Sequence, residues 1–337
     1  MNRLDKSKIN SDMFCYYPFY QLVLHANGNL SPCCYNYEII YDNISDNSFK
    51  DIWNSETVRK LRREFLESNP KTCQKKMSQL GCHRTSVRDF TNSMIQQEIM
   101  EFPPKRLDVR LSGRCNLQCI MCSVWKETSG PYENSDFWNI GKTEIFPYIY
   151  EIDVLGGEPF VQSETFRLID AVHEVNTSCQ WAFVTNGQYR MNSFIKSYLD
   201  KIEIRWIQVS LDSLVSETYS KIRLKGELSK ALSTVENLLQ YQEKRKTQGR
   251  PFQLLASMCV QILNWSEIEQ FLNFSLENGI VPIFQFSNLP DETSLLHLPL
   301  SERRKIFSYL FSLMEKYGPE VLQPVSIPLK ESLISKR

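Results

Sequence analysis

The chain lacks any excess of charge: 39 Lys and Arg face 39 Asp and Glu, so the formal net charge at neutral pH is zero. That removes the electrostatic footprint that a nucleic-acid backbone or an anionic membrane would require, and neither is expected as a partner. No uninterrupted apolar run approaches the ~18 residues needed to cross a bilayer. The opening MNRLDKSKINSDMF has no apolar h-region of a secretory signal, and a cytoplasmic location is the expectation. There is no internal repeat and no low-complexity tract. What remains is an ordinary globular composition over 337 residues, 42% apolar and 23% charged, long enough for a sizeable core.

Cysteine is the exception to this plainness. There are ten, and in a reducing compartment clustered thiols bind metal or do redox chemistry more often than they form disulfides. Cys15, Cys33, Cys34, Cys73 and Cys82 lie in the first quarter, and Cys115, Cys119 and Cys122 form a triplet within RCNLQCIMC. Cys179 and Cys259 are isolated in apolar or strand-like runs and read as buried cysteines.

From about residue 105 the pattern alternates. RLDVRL (106–111), YEIDVL (150–155), QWAFVT (180–185), IRWIQVSL (204–211), FQLLASMCVQI (252–262) and IVPIFQF (280–286) read as six strands. Helices are expected over much of 135–147, over 163–174, in MNSFIKSYLDK, over 228–244 and in SEIEQFLNFSLENG, where Ser266 is placed to cap and Gly279 to stop. Such alternation implies parallel βα crossovers, as an open sheet or a partial barrel, with ligands gathering at the carboxyl ends of the strands. The cysteine triplet follows the first strand at that end. Residues 1–100 differ: HANGNLSPCCYN predicts a hairpin turned at Asn27-Gly28, and 48–68 a helical stretch. Pro103-Pro104 marks a boundary, and the tail after Pro319 is expected to be loosely ordered.

Cys-x3-Cys-x2-Cys on a loop can wrap one face of a cubane [4Fe-4S] cluster and ligate three irons. Electron-transfer clusters are closed by four cysteines. Here no fourth follows until Cys179, so one iron would stay open to a small molecule, as catalytic zinc sites keep one position free. Zinc itself fits less well, because the spacing is not that of a zinc knuckle and the segment lacks a histidine.

These residues resemble the radical S-adenosylmethionine (SAM) superfamily over about 105–290, and further motifs fall in the same order. LGGEP (155–159) follows strand two, TNG (185–187) ends strand three and VSLD (209–212) ends strand four. The resemblance implies a partial (β/α)6 TIM-like barrel in an α/β chain. It implies a SAM-binding [4Fe-4S] cluster on Cys115, Cys119 and Cys122, and SAM contacts from Gly156, Gly157, Glu158, Ser210, Asp212 and Asn264. For Ser210, Asp212 and Asn264, a cap or turn role stands beside the cofactor role. It also implies reductive cleavage of SAM to a 5′-deoxyadenosyl radical that abstracts hydrogen from substrate, with an electron donor such as flavodoxin or ferredoxin.

Cys15-x12-Gly28-x4-Cys33, followed by FKDIWNSETVRKLR, resembles the SPASM/twitch extension that binds auxiliary clusters in such enzymes. The resemblance implies an auxiliary [4Fe-4S] cluster on Cys15, Cys33, Cys73 and Cys82, with a structural zinc in the same thiolates as the rival. Two departures stand out: the unit precedes the barrel, and Lys76 occupies a position where a cysteine is usual. Cys34, His25 and His83 are alternative ligands. The chain thus divides into an auxiliary unit (1–100), a core (105–290) and a C-terminal helical extension and tail (291–337). A peptide or protein substrate is expected. The alternatives are a small metabolite oxidised by a radical SAM dehydrogenase, and a zinc-stabilised binding protein with no catalysis.

Overall fold

The computed structural model describes residues 14–34, 36, 38–45, 47–73, 97–127, 130–133 and 135–334. Cys82 and His83 lie outside the described residues. The fold is α/β, with nine strands among the described residues in the sheet order β3-β2-β1-β4-β5-β6-β7-β8-β9. These are β1 (Gln21–Leu24), β2 (Asn29–Ser31), β3 (Asp42–Asn43), β4 (Arg106–Val109), β5 (Glu151–Val154), β6 (Gln180–Thr185), β7 (Glu203–Ser210), β8 (Gln253–Val260) and β9 (Val281–Phe286). From β4 onward strands alternate with helices, giving the six βα repeats of a partial TIM-like barrel. No helix among the described residues is long and apolar enough to cross a membrane.

The chain divides into two compact units, the first drawn from 1–112, 128–156 and 163–180, the second from 113–127, 157–162 and 181–337. In the first, β1 and β2 form the expected hairpin, with Val23 opposite Ser31 and Leu24 opposite Leu30. Gly28 turns it at φ +86°, a value L side chains rarely adopt. The sequence set this segment apart from the barrel, but β1 pairs in parallel with β4, Leu22 beside Leu107 and Leu24 beside Val109. Side chains of Leu22, Leu107, Val109 and Ile152 are fully or nearly fully buried. The other face of β4 and β5 is charged: Arg106 pairs with Asp153 and lies 4.0 Å from Glu151, and Arg110 lies 3.6 Å from Asp108. Helices α1 (Phe49–Trp53) and α2 (Glu56–Leu66) follow the hairpin, α1 capped by Ser48 accepting from the Asp51 N–H. Helices α3 (Ser135–Glu144) and α4 (Ser163–His173) follow β4 and β5.

In the second unit, α5 (Ser193–Lys201) is capped by Asn192, whose side chain accepts from the Ile195 N–H at 3.0 Å. The fully buried Arg245 closes its other end by donating to the carbonyls of Leu199 and Ile202. It does so from α7 (Leu228–Thr247), which follows a short helix, α6 (Ser216–Ile222), that the sequence did not announce. Helix α8 (Ile268–Glu277) begins later than expected. Residues 265–267 form a 3-10 turn, and Ser266 makes no cap. Gly279 does follow its end, at φ +66°. The described part of the segment after Pro319 is helical rather than loose, and 335–337 lie outside the described residues. Helices α9 (Leu300–Tyr317) and α10 (Gln323–Ile334) end the described chain, and Val325 and Leu329 of α10 are fully buried.

His25, just after β1, bonds the Ser31 hydroxyl at 2.7 Å. Burial, and then Arg110, push its imidazole down to about 4. The folded ring therefore stays neutral while the unfolded chain protonates near its ordinary value, so stability is lost as pH falls between those two values. Urea unfolding of His25→Asn should show a flatter dependence on pH across about 6.5 to 4 than the parent. An equally steep profile would contradict this.

Candidate functional site

The cysteine loop, 113–127, contains no regular element beyond a 3-10 turn at Val124–Lys126. Its shape is imposed by neighbouring backbone. A Cβ on Gly113 would fall 2.2 Å from the Glu127 carbonyl, and one on Gly157 would fall 1.9 Å from the Arg114 carbonyl. That same Arg114 oxygen accepts from the Glu158 N–H at 2.9 Å and from Gln162 Nε2 at 2.7 Å. On its other side the loop is stitched to the segment after α6: the Ile120 N–H donates to the Ile222 carbonyl, and the Gln118 N–H to that of Leu224.

The three thiols are near enough to feel one another. Burial raises Cys115, with Cys122 contributing in the same direction. Burial pushes Cys119 up to about 12, and Arg223 partly opposes this. Without a cation such thiols stay protonated, and a bound metal deprotonates them outright. Among the described residues no three His, Cys, Asp or Glu side chains close on a single ion. A cubane spreads its thiolates over separate corners, so the donor set suits a cluster better than one zinc. Donors already aim at the sulfurs: the Leu117 N–H reaches Cys115 Sγ at 3.4 Å, Asn186 Nδ2 the same atom at 3.5 Å, and Arg223 the Cys119 Sγ at 3.9 Å.

The sequence motifs around the loop are placed as follows. Gly156 has φ +109°. Glu158 is fully buried, and its carboxylate accepts from Thr185 Oγ1 (2.7 Å), the Asn186 N–H (2.7 Å) and the Phe160 N–H (3.2 Å). Burial pushes that carboxyl up to about 7 against these bonds. Its side chain thus ties the Gly-Gly-Glu turn to the end of β6. Ser210, half-buried at the end of β7, stands opposite Ser257 of β8, their hydroxyls 3.4 Å apart. Asp212 adopts φ +61°, accepts from the Cys259 N–H at 2.7 Å and pairs with Arg223 at 2.8 Å. Fully buried Asn264 accepts from the Gln261 N–H and donates to the carbonyls of Asp212 and Cys259. The side chain of Asn264 therefore fills a turn role that the sequence left open beside the cofactor role, whereas that of Asp212 makes neither a cap nor a turn but bridges the Cys259 N–H and Arg223. Cys179 is 1% exposed, and Cys259 lies near Asp212, where burial pushes it up to about 12.

Arg223 was missed by the sequence reading, since it sits in no motif and follows the unannounced α6. Buried against Asp212, it remains a cation: burial pulls its pKa down, and Asp212 and Cys119 more than reverse that. In the first unit, Cys15, Cys33 and Cys73 all act on the buried Tyr41 hydroxyl, and Asn36 Nδ2 donates to Cys73 Sγ at 3.6 Å. Cys34, by contrast, feels Asp108 and Arg110.

Residues 15–76 match the SPASM family, described as an iron-sulfur cluster-binding domain. A GTP 3′,8-cyclase of Nautilia profundicola is 24% identical over 180 residues, 51% of this chain and 52% of that protein. One of Clostridium acetobutylicum is 24% identical over 206 residues, 60% of this chain and 58% of that protein. The chain thus spans little more than half the length of these relatives. Among solved structures, Streptococcus suis SuiB has a TM-score of 0.46 and 17% identity, over 65% of this chain and 48% of that one.

Breaking the Asp212–Arg223 pair by Arg223→Met should destabilise the apoprotein by about 3–5 kcal/mol, because it strands a buried carboxylate. Adding Asp212→Asn should recover part of the loss in urea unfolding. If the double variant is no more stable than Arg223→Met alone, the stranded charge is not the cause.

Proposed function

We propose that this chain, a member of the radical SAM superfamily with a SPASM-type unit at its N-terminal end, is an enzyme that takes a hydrogen atom from a peptide or protein substrate. The observation that carries the reading is the loop of three mutually close thiols, with amide and guanidinium donors aimed at two of their sulfurs. A bound [4Fe-4S] cluster and SAM supply one-electron cleavage of a sulfonium C–S bond and, through it, a radical able to abstract hydrogen.

The chain's own residues hold and shield these groups. Cys115, Cys119 and Cys122 are the ligands. The backbone of Gly157 and Glu158 lies beside the ligand loop, and the carbonyls of Gly156, Gly157 and Glu158 are offered to the SAM ammonium. Ser210 offers its hydroxyl to the SAM ribose or carboxylate. Asp212 joins the end of β7 to β8 and Asn264 sets the turn after β8, both bordering the cofactor, and Arg223 balances thiolate charge at Cys119. Cys15, Cys33 and Cys73, with Cys82 as the fourth, hold an auxiliary cluster in the first unit. Electrons come from a flavodoxin or ferredoxin in the reducing cytoplasm, where such clusters persist.

The peptide assignment is supported by the charged face of β4 and β5. There Arg106 and Arg110 are already paired with carboxylates, which suits amide or zwitterionic groups better than a polyphosphate. A second reading, a nucleotide substrate, is favoured by the names of the relatives.

Cys119→Ala should abolish reductive formation of 5′-deoxyadenosine from SAM, measured by chromatography under reducing anaerobic conditions; continued formation would refute the ligand assignment. Cys73→Ala should lose roughly half of the about eight irons expected for two cubanes, and unchanged iron would remove Cys73 from the ligand set. With deuterated substrates, label should enter 5′-deoxyadenosine from a co-expressed peptide and not from GTP; transfer from GTP alone would favour the nucleotide reading.

A further inference from the structure

Arg62 of α2 is fully buried. Its Nε donates to the Pro18 carbonyl at 2.8 Å, one terminal nitrogen donates to Asn54 Oδ1 at 3.0 Å and to the Glu98 carbonyl at 3.1 Å, and the guanidinium lies 4.3 Å over the Trp53 ring. Every one of these partners is neutral. The nearby Glu98 carboxylate is bound instead by Arg59 and Arg63. Burial pulls Arg62 down to about 10, which still leaves it charged at neutral pH. Its second terminal nitrogen is buried with no hydrogen-bond partner among the described residues.

A buried guanidinium without an anion is costly, and so is a buried donor without an acceptor. Arg223, a buried arginine close to Cys119, has Asp212 to balance it. Arg62 has no carboxylate ion pair among the described residues. What it does have nearby is Tyr41, 4% exposed, whose hydroxyl is also buried without a partner among the described residues. That hydroxyl in turn feels Cys15, Cys33 and Cys73 together. The Tyr41 N–H donates to the Leu30 carbonyl at 2.8 Å, which fixes it beside the end of β2, where the chain leads into Cys33, and Arg62 is fixed to the Pro18 carbonyl, three residues from Cys15. Two donors without an acceptor among the described residues, one of them cationic, thus lie beside the segments that carry Cys33 and Cys15. They require an acceptor-rich anion, and thiolate-bound iron and sulfide provide one.

Resting on the reading of Cys15, Cys33 and Cys73 as auxiliary-cluster ligands, we propose that Arg62 and Tyr41 are positioning residues that donate to the sulfurs of that cluster, neutralise its charge and raise its reduction potential. Hydrogen bonds to sulfur and local positive charge both favour the reduced, more negative state. The arrangement also explains why an arginine is sealed against Trp53, itself 2% exposed.

The test uses the full chain carrying Cys115→Ala, Cys119→Ala and Cys122→Ala, purified anaerobically, so that any remaining cluster is the auxiliary one. Iron and sulfide are counted, and the potential is read by redox titration followed by electron paramagnetic resonance. Tyr41→Phe, which removes only the hydroxyl, should lower the potential. Arg62→Met should lower it further, by at least a tenfold change in the oxidised-to-reduced ratio at fixed potential, ~59 mV for one electron. Arg62→Lys should fall between Arg62→Met and the parent. If Arg62→Met fails to fold, Tyr41→Phe and Arg62→Lys decide the matter. Normal iron with unshifted potentials in both would overturn the proposal while leaving the auxiliary cluster standing. Zinc, or no metal, in the background protein would overturn the cluster reading and this proposal together.

Discussion

A loop with almost no secondary structure can present three thiols to one cluster only if its backbone is clamped from outside. Here the clamp is the Arg114 carbonyl, which receives the Glu158 N–H and Gln162 Nε2 and leaves no room for a side chain at 157. Glu158 extends the clamp inward. Its buried carboxylate takes three donors, two from the end of β6 and one from its own turn. The Gly-Gly-Glu turn is thus a mechanical part of the cysteine loop. Gly157 matters because a Cβ would push the loop off, Gly156 because its φ of +109° is one that L side chains rarely adopt, and the glutamate because it fixes where the turn sits.

Electrostatics then divides the cysteine sites into two kinds. At Cys119 the neighbouring cation is already balanced, Arg223 being held by Asp212. Charge there is set by a protein ion pair. Near Cys15, Cys33 and Cys73, among the described residues, Arg62 has only neutral partners and the Tyr41 hydroxyl has none. On the proposed ligand assignment, charge at the first site is balanced by the polypeptide, whereas at the second it depends on the occupant.

Much of the architecture was legible because it is local. The strand QWAFVT is found over the same residues, 180–185, since an apolar run flanked by polar turns leaves few alternatives. The hairpin at Asn27-Gly28 followed from one turn pair. What escaped was non-local or unpatterned. The parallel pairing of β1 with β4 joins residues about 85 positions apart, and no periodicity encodes it. Helix α6 is short, so its pattern was too weak to find, and with it went Arg223, whose importance comes from its burial against Asp212. Ser266 looked like a cap by residue type, but the 3-10 turn places the helix start beyond it. Asn264 and Asp212 were found as polar residues at strand ends. Only the coordinates show that their side chains are engaged by backbone groups.

The central claim is that three thiolates hold a cubane whose remaining iron accepts an outside chelator. Its most direct test is electron paramagnetic resonance of the reduced protein bearing Cys15→Ala, Cys33→Ala and Cys73→Ala, recorded with and without SAM. The account predicts a reduced-cluster signal whose g values change when SAM is added, because the open iron gains new ligands. A cluster signal indifferent to SAM, or no cluster signal from the intact triplet, would contradict it.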